Sequence, residues 1–330
     1  MKKTFIAALM LSVLAIGAFA NGDGENDGTK PFVLTLGNQD APTHVFNQAL
    51  EAASTYLEEI SDGTMKIELY PSSQLGDFKA TTAQVMEGEL DMAGNGYPDM
   101  SFLIPELQVI GAPYVVGSYE HLLKILESDY GKKMDAAMVE KGIRMIDCWY
   151  FGTRQTTLNK PVESIEDLNG VKLRTPDVDF LVAYAQAVGA IASPIAFSEL
   201  YLSLQTNQVD GQENPLPTIN ANKFYEIQKH IALTNHFIAT KAILVSEKTW
   251  QKMNDQQREW LTEAIHYARE INNSAIFEEE SGLIEELESE RGVTFYRPDL
   301  APFKAGMKPY YDKLEARFGD GIVSELQSLE

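Results

Sequence analysis

Apolar residues recur along this chain at strand spacing and then at helix spacing, and the two rhythms take turns. Residues 32–36 (FVLTL) form a short apolar run that predicts a buried strand. After Pro42 and Thr43, the residues Phe46, Leu50, Ala53, Leu57 and Ile60 fall on one helical face, and Ser61, Asp62 and Gly63 end it. Met65, Ile67 and Leu69 alternate with polar residues, the mark of a half-buried strand. This is a strand–helix–strand unit, for which a right-handed crossover and parallel strands are expected. A second helix through Val85 leads to another strand at 90–93.

The rhythm returns in the second half. Residues 171–174 (VKLR) read as a strand, 177–188 as a helix stopped by Gly189, 197–204 as a helix and 209–211 (VDG) as a strand. The two series end alike: LDM at 90–92 and VDG at 209–211 each follow a helix and a turn and precede a polar loop bearing asparagine. That echo suits an α/β protein of two similarly built lobes. Between them lies an apolar segment, 142–157, that ends in Gly152, Thr153, Arg154 and Gln155. Residues 256–290 are Glu-rich and helical in pattern, with no glycine or proline before Gly282. A single helix of that reach would span both lobes as a spine; two consecutive helices are the alternative.

The first residues have a different character. Lys2 and Lys3 precede an apolar run from Phe5 to Phe19, closed by Ala18, Phe19 and Ala20. A basic start, a short apolar core and small residues at its end predict a secretory signal cleaved after Ala20. The run is shorter than the about 20 apolar residues of a spanning helix. No cysteine follows Ala20, which argues against a lipid anchor. Residues 21–30 (NGDGENDGTK) form a flexible lead-in. Their acids resemble the start of a calcium loop, but Leu34 stands where that loop needs glutamate. With 27 basic and 48 acidic residues among 330, the chain carries a net charge of −21. Such an acid excess excludes a nucleic-acid partner, which needs a basic face. A single cysteine excludes an intramolecular disulfide framework and a CxxC site.

Motifs for catalysis are missing. GxSxG, HExxH, GxxxxGK[ST] and zinc spacings do not occur, and the five histidines have no ligand spacing. Cys148 lies in an apolar strand-like segment, the setting of an inert thiol. No enzyme activity, cofactor or metal is expected. What stands out is the polar groups at strand ends, where open α/β sheets bind ligands. Asn38, Asn95, Arg174 and Asn214 each follow or close a predicted strand, and Arg154 closes the segment entering the second lobe. An arginine fork matches a carboxylate, and in so acidic a chain an anionic solute needs such a positive well. The alternative is that both arginines neutralise nearby acids such as Glu163 or Asp177.

Several motifs carry a family likeness: GTRQTT at 152–157, DLNGVKLR at 167–174, PIAFSELY at 194–201, DGQENP at 210–215, KFYE at 223–226, TNH at 234–236 and LYPSSQLG at 69–76. Together they resemble the periplasmic solute-binding proteins of TRAP (tripartite ATP-independent periplasmic) transporters, the DctP family, over nearly all of the chain after the signal. The resemblance implies a two-lobe periplasmic binding protein fold with a ligand cleft between the lobes and a long C-terminal spanning helix. The expected lobe I is 31–151 with about 240–279, and lobe II is 152–239 with about 280–330. It implies a soluble periplasmic protein, monomeric, that passes a small carboxylate to TRAP permease membrane subunits. By position, Arg174 matches the arginine that forms a salt bridge with the ligand carboxylate, Arg154 a second cleft arginine, Asn214 a cleft asparagine and Phe197 an aromatic of the pocket. Asn38 and Asn95 fall where lobe-one loops reach the ligand.

The likeness is close to the sialate-binding branch, with departures in lobe one. Where that branch has a glutamate and an arginine after the 90–91 strand, this chain has Gly96 and Asp99. Asp177 stands where an asparagine is expected. Asp177 could accept hydrogen bonds from solute hydroxyls, which favours a sugar acid such as a uronate or aldonate, or it could cap the helix that follows. Sialic acid or a C4-dicarboxylate held in the same way is the alternative solute. A secreted enzyme and a binding protein that feeds a sensor are the other classes.

Overall fold

The computed structural model describes residues 31–330, so the expected signal (1–20) and lead-in (21–30) lie outside the described residues. The strands are β1 (Phe32–Gly37), β2 (Met65–Tyr70), β3 (Met92–Gly96), β4 (Ile143–Leu158), β5 (Lys172–Thr175), β6 (Ile191–Pro194), β7 (Gly211–Pro215), β8 (His230–Ser246) and β9 (Thr294–Tyr296), of which β6, β8 and β9 fall outside the runs read from the sequence. They share one sheet in the order β2-β1-β3-β8-β4-β7-β5-β6, with β9 beside β8. β1 runs parallel to β2 and β3, and β5 parallel to β6 and β7. Between these two parallel trios lie the long strands β4 and β8, antiparallel to each other and to β7 and β3 respectively. The α/β architecture is as expected, and the strand–helix–strand unit does have parallel strands.

Two predicted strands are displaced, both for one reason. The strand read at 90–93 runs from Met92 to Gly96, and the strand read at 209–211 runs from Gly211 to Pro215. In each, the aspartate lies just before the ladder and clamps the neighbouring strand. Asp91 accepts hydrogen bonds from the Thr35 amide (3.0 Å) and hydroxyl (2.9 Å) of β1, and Asp210 accepts one from the Lys172 amide of β5 (2.9 Å). The echoed Asp is thus a pre-strand anchor, and the residues after it form the strand.

The helix Val45–Ile60 buries Phe46, Leu50, Ala53 and Leu57 of the predicted face, together with Ala49, at roughly 1.5–3 kcal/mol for each large side chain, while Ile60 is only half-buried. Its cap is His44, whose Nδ1 accepts from the Phe46 amide (3.1 Å). Phe46 meets Trp149 and Phe151 of β4 edge-on, with centroids 5.5 and 5.8 Å apart. The Glu-rich stretch is a single helix, Asp255–Arg291, of 37 residues. At 1.5 Å per residue it reaches about 55 Å. A capping box of Asn254 and Gln257 starts it, and Gly292, at φ +65°, ends it. Leu261, Ile265 and Ile276 join the large core cluster, while Leu283 and Leu287 join a second cluster with Leu200, Leu216 and Phe295.

The long helix also grips β4. Asn273 accepts from the Tyr150 amide (3.0 Å), Asn272 donates to the Tyr150 carbonyl (2.7 Å), and Glu280 accepts from the Thr153 amide (2.6 Å) and the Tyr150 hydroxyl (2.5 Å). Gly152 lies inside this grip at φ +102°, beside a register shift between β4 and β8. Among the described residues no helix is long and apolar enough to cross a membrane.

Candidate functional site

A cavity of about 420 Å³ opens beyond the carboxyl ends of the parallel strands. Its wall includes Arg154, Arg174, Asp177, Phe197 and Asn214, five of the seven residues that the sequence singled out. Gln39, Asp77, Phe78, Lys79, Asp99 and the segments at Pro176 and 194–196 complete it.

Arg174 sits near the end of β5, paired with Gln212 of β7 on one side and Ser193 of β6 on the other. That position buries its side chain to 2% exposure. Nε and Nη2 both donate to the Ile195 carbonyl, at 2.9 and 2.7 Å. Of the five guanidinium N–H groups, three therefore have no protein acceptor among the described residues. No carboxylate lies within salt-bridge distance of it either, and the Phe197 ring stands 5.9 Å from its Cζ. Burial pushes the Arg174 pKa down to about 9, with Glu213 pulling it up and Arg154 pushing it further down. At neutral pH it is still a cation, held in a place that penalises the charge.

Arg154, on β4 opposite Pro215, is committed. Its Nε meets Glu213 Oε2, and its Nη2 donates to Glu213 Oε1 (2.9 Å) and the Glu213 carbonyl (2.6 Å). The acid-neutralising alternative thus applies to Arg154, with Glu213 rather than Glu163 or Asp177 as partner. Burial acts to raise the Glu213 pKa, but the Arg154 charge and bonds from His236 and Arg154 outweigh it and hold the carboxylate low. His236 Nε2 lies 3.1 Å from Glu213, its Nδ1 2.9 Å from Thr234 Oγ1, and its ring stacks on Tyr184 at 3.9 Å. Burial lowers the His236 pKa, so the ring is neutral and the network rigid. Asn214 donates to Gln212 Oε1 (2.5 Å), and Gln212 Nε2 donates to Thr157 Oγ1 (3.0 Å), fixing the carboxamide at the cavity wall.

Asp177 does not cap the helix Asp179–Ala187; Val178 holds that position without a side-chain bond. Its carboxylate instead pairs with Lys79 at 2.6 Å. Asp77 caps the helix Phe78–Glu87 through the Ala80 amide (2.9 Å).

The structure does not bring Asn38 and Asn95 to the cavity. Asn38 turns inward, donating to Asn47 (2.8 Å) and accepting from the Asp40 amide (2.9 Å), so the next residue, Gln39, faces the solute space. Asn95 still belongs to β3, because that strand starts late. It bonds Phe78 O, Thr81 and Thr82 at 3.2, 3.0 and 2.9 Å and anchors the helix behind. Asp99, beyond the end of β3, lines the cavity. Spacing alone pointed to loops that border the cavity but not to which residue of each loop turns outward. Lys79 and Asp77 start a helix and carried no such signal.

The remaining candidates are structural. Among the described residues no cluster of His, Cys, Asp and Glu could hold a metal ion. Cys148 is buried, and burial pushes its thiol up to about 12. His44 caps a helix, and His121 bonds the Leu326 carbonyl at 2.8 Å.

This geometry has close counterparts. The sialic acid-binding periplasmic protein of Vibrio cholerae serotype O1 is 38% identical over 326 residues, 98% of this chain and 99% of that protein. A TRAP solute-binding protein of Roseobacter denitrificans, solved with bound L-galactonate, superposes with a TM-score of 0.82 at 29% identity, over 90% of this chain and 98% of that one. Another from Sulfitobacter, solved with β-D-galacturonate, has a TM-score of 0.83 at 25% identity, over 90% and 98%. The model of bacterial extracellular solute-binding protein, family 7, matches residues 36–317. The chain belongs to that family, the DctP family of TRAP periplasmic solute-binding proteins.

Proposed function

We propose that the protein captures a sugar acid by seating its carboxylate on Arg174, and that the solute is an aldonate or a uronate. As a member of its family it serves the transport of small organic acids alongside membrane permease subunits, and it is a binding protein, not an enzyme. One observation carries the proposal: a buried guanidinium on the cavity wall with three N–H groups unspent and no carboxylate partner among the described residues. Such a cation is costly in the empty protein, and a ligand carboxylate offsets that cost on binding. Arg154, tied to Glu213, supplies a fixed second positive edge and Asn214 a polar contact. Phe197 supplies an apolar face.

The solute class is supported by the polar remainder of the wall and by the L-galactonate and β-D-galacturonate held by the two relatives. Sialic acid is the second reading, favoured by the 38% identity to the Vibrio cholerae protein. Both solutes are hydroxylated monocarboxylates.

The two parallel trios would act as lobes, 31–151 with about 240–279 and 152–239 with about 280–330. The boundary in β4 coincides with Gly152 and its register shift, a natural place for a hinge. Because the solute touches both lobes only when they close, binding shifts the population toward the closed form that a permease reads. A few charge-assisted bonds, less ordering costs, correspond to roughly −8 to −12 kcal/mol, micromolar to nanomolar affinity.

The test is a thermal-shift screen of aldonates, uronates, sialic acid and C4-dicarboxylates, since a solute that binds only the native state raises its melting temperature. A rise with a sugar acid, confirmed by calorimetry, is expected. A panel in which no carboxylate moves the transition refutes the proposal.

A further inference from the structure

Resting on the carboxylate reading above, we infer that Asp99 is a specificity-determining residue of the cavity: it admits monocarboxylates whose far part carries hydroxyl or amine donors and rejects solutes with a second carboxylate. The inference starts from which charges of the wall are already spent. Arg154 is taken by Glu213, Lys79 by Asp177, and Asp77 by the helix start it caps. Lys241, behind the cavity, is taken by Asp40 at 2.6 Å. Arg174 and Asp99 remain. No donor among the described residues bonds the Asp99 carboxylate, and no cation is within salt-bridge distance of it.

Asp99 is also held in place for this role. The Asp99 carboxylate lies back over Gly96, in space that a Cβ there would occupy. There it borders both the main cavity and a small chamber of about 40 Å³ behind it, which shares Arg154 and Asn214. Among the charged groups of the wall, the described residues leave one cation without a carboxylate partner and one carboxylate without a donor. A carboxylate matches the first; a hydroxyl or an ammonium matches the second. Burial raises the Asp99 pKa from the usual carboxyl range, while Arg154 and Lys241 pull it down and Glu213 and Asp40 push it up. A second anionic group beside Asp99 would meet a carboxylate that has no partner among the described residues, and like charges at close range repel.

Galactonate, galacturonate and sialic acid serve as monocarboxylate probes, galactarate and succinate as dicarboxylates, all by calorimetry at neutral pH. The wild-type protein should bind its best monocarboxylate at least tenfold tighter than either dicarboxylate. Asp99→Asn, which keeps the shape and removes the charge, should tighten galactarate or succinate at least tenfold. Equal wild-type affinity for the two classes, or no gain of dicarboxylate binding in folded Asp99→Asn protein, overturns the inference and leaves the Arg174 reading standing. If Asp99→Asn does not fold, the wild-type ratio decides alone. If none of the monocarboxylates binds, the carboxylate reading itself fails and takes this one with it.

Discussion

Replacing Arg174 by methionine separates binding from stability in a way the geometry makes quantitative. With the Ile195 carbonyl holding two of the five N–H groups, three remain, enough for a two-point grip on a carboxylate. Each charge-assisted bond contributes about 1.5–3 kcal/mol, so losing the pair removes roughly 3 kcal/mol or more. That is on the order of a hundredfold in Kd, and at least tenfold if the solute re-seats on Arg154. The empty protein should respond in the opposite sense. Burial that brings the guanidinium from 12.5 to about 9 costs on the order of 5 kcal/mol, which the apolar side chain removes. The orphaned Ile195 carbonyl returns about 1–3 kcal/mol of that. Ligand-free Arg174→Met protein should therefore melt no lower than wild type, while its calorimetric affinity for the solute collapses. Arg174→Lys, which keeps the charge but not the fork, should recover only part of the affinity. Unchanged affinity in folded Arg174→Met protein refutes the role.

Two further outcomes follow from the frame around the cavity. Burial pushes His44 down to about 4, with Lys241 adding to the effect and Asp40 opposing it. The unfolded chain takes up this proton near pH 6.5 and the folded one only near 4, so stability is complete above 6.5. It then falls by about 1.4 kcal/mol per pH unit, roughly 3 kcal/mol in all. His44→Asn keeps a helix-capping side chain and should flatten the decline in melting temperature between pH 6.5 and 4; an identical slope counts against this account. At Gly152, an added Cβ would lie 2.8 Å from Pro215 Cβ and 3.0 Å from Glu280 Oε1, at φ +102°. Gly152→Ala should cost about 1–3 kcal/mol in chemical denaturation, and an unmoved midpoint would show that the grip on β4 is loose.

Much of the architecture was readable because burial follows period. The face of the helix Val45–Ile60 and the parallel pairing of β1 and β2 follow from where apolar residues recur, whereas one helix or two stayed open for the Glu-rich stretch until the structure carried Asp255–Arg291 through Gly282. β8 escaped the pattern because its buried polar residues, Thr234, His236, Thr240 and Lys241, break the apolar alternation. The two ionisable ones are tolerated by partners distant in sequence, Glu213 for His236 and Asp40 for Lys241.

Loops after the parallel strands border the cavity, since the carboxyl edge of a parallel sheet leaves loops free to face a solute. Which loop residue turns outward depended on inward bonds that no local pattern encodes, as Asn38 with Asn47 and Asn95 with Thr81 and Thr82 illustrate. By itself the sequence determined the α/β class, the two matching series of elements and the arginine near the end of β5, whereas Arg154 proved to lie inside β4. Only the tertiary structure decided that Glu213 satisfies Arg154 and leaves Arg174 open, because charges far apart in the chain settle their pairing only when the sheet brings them within reach.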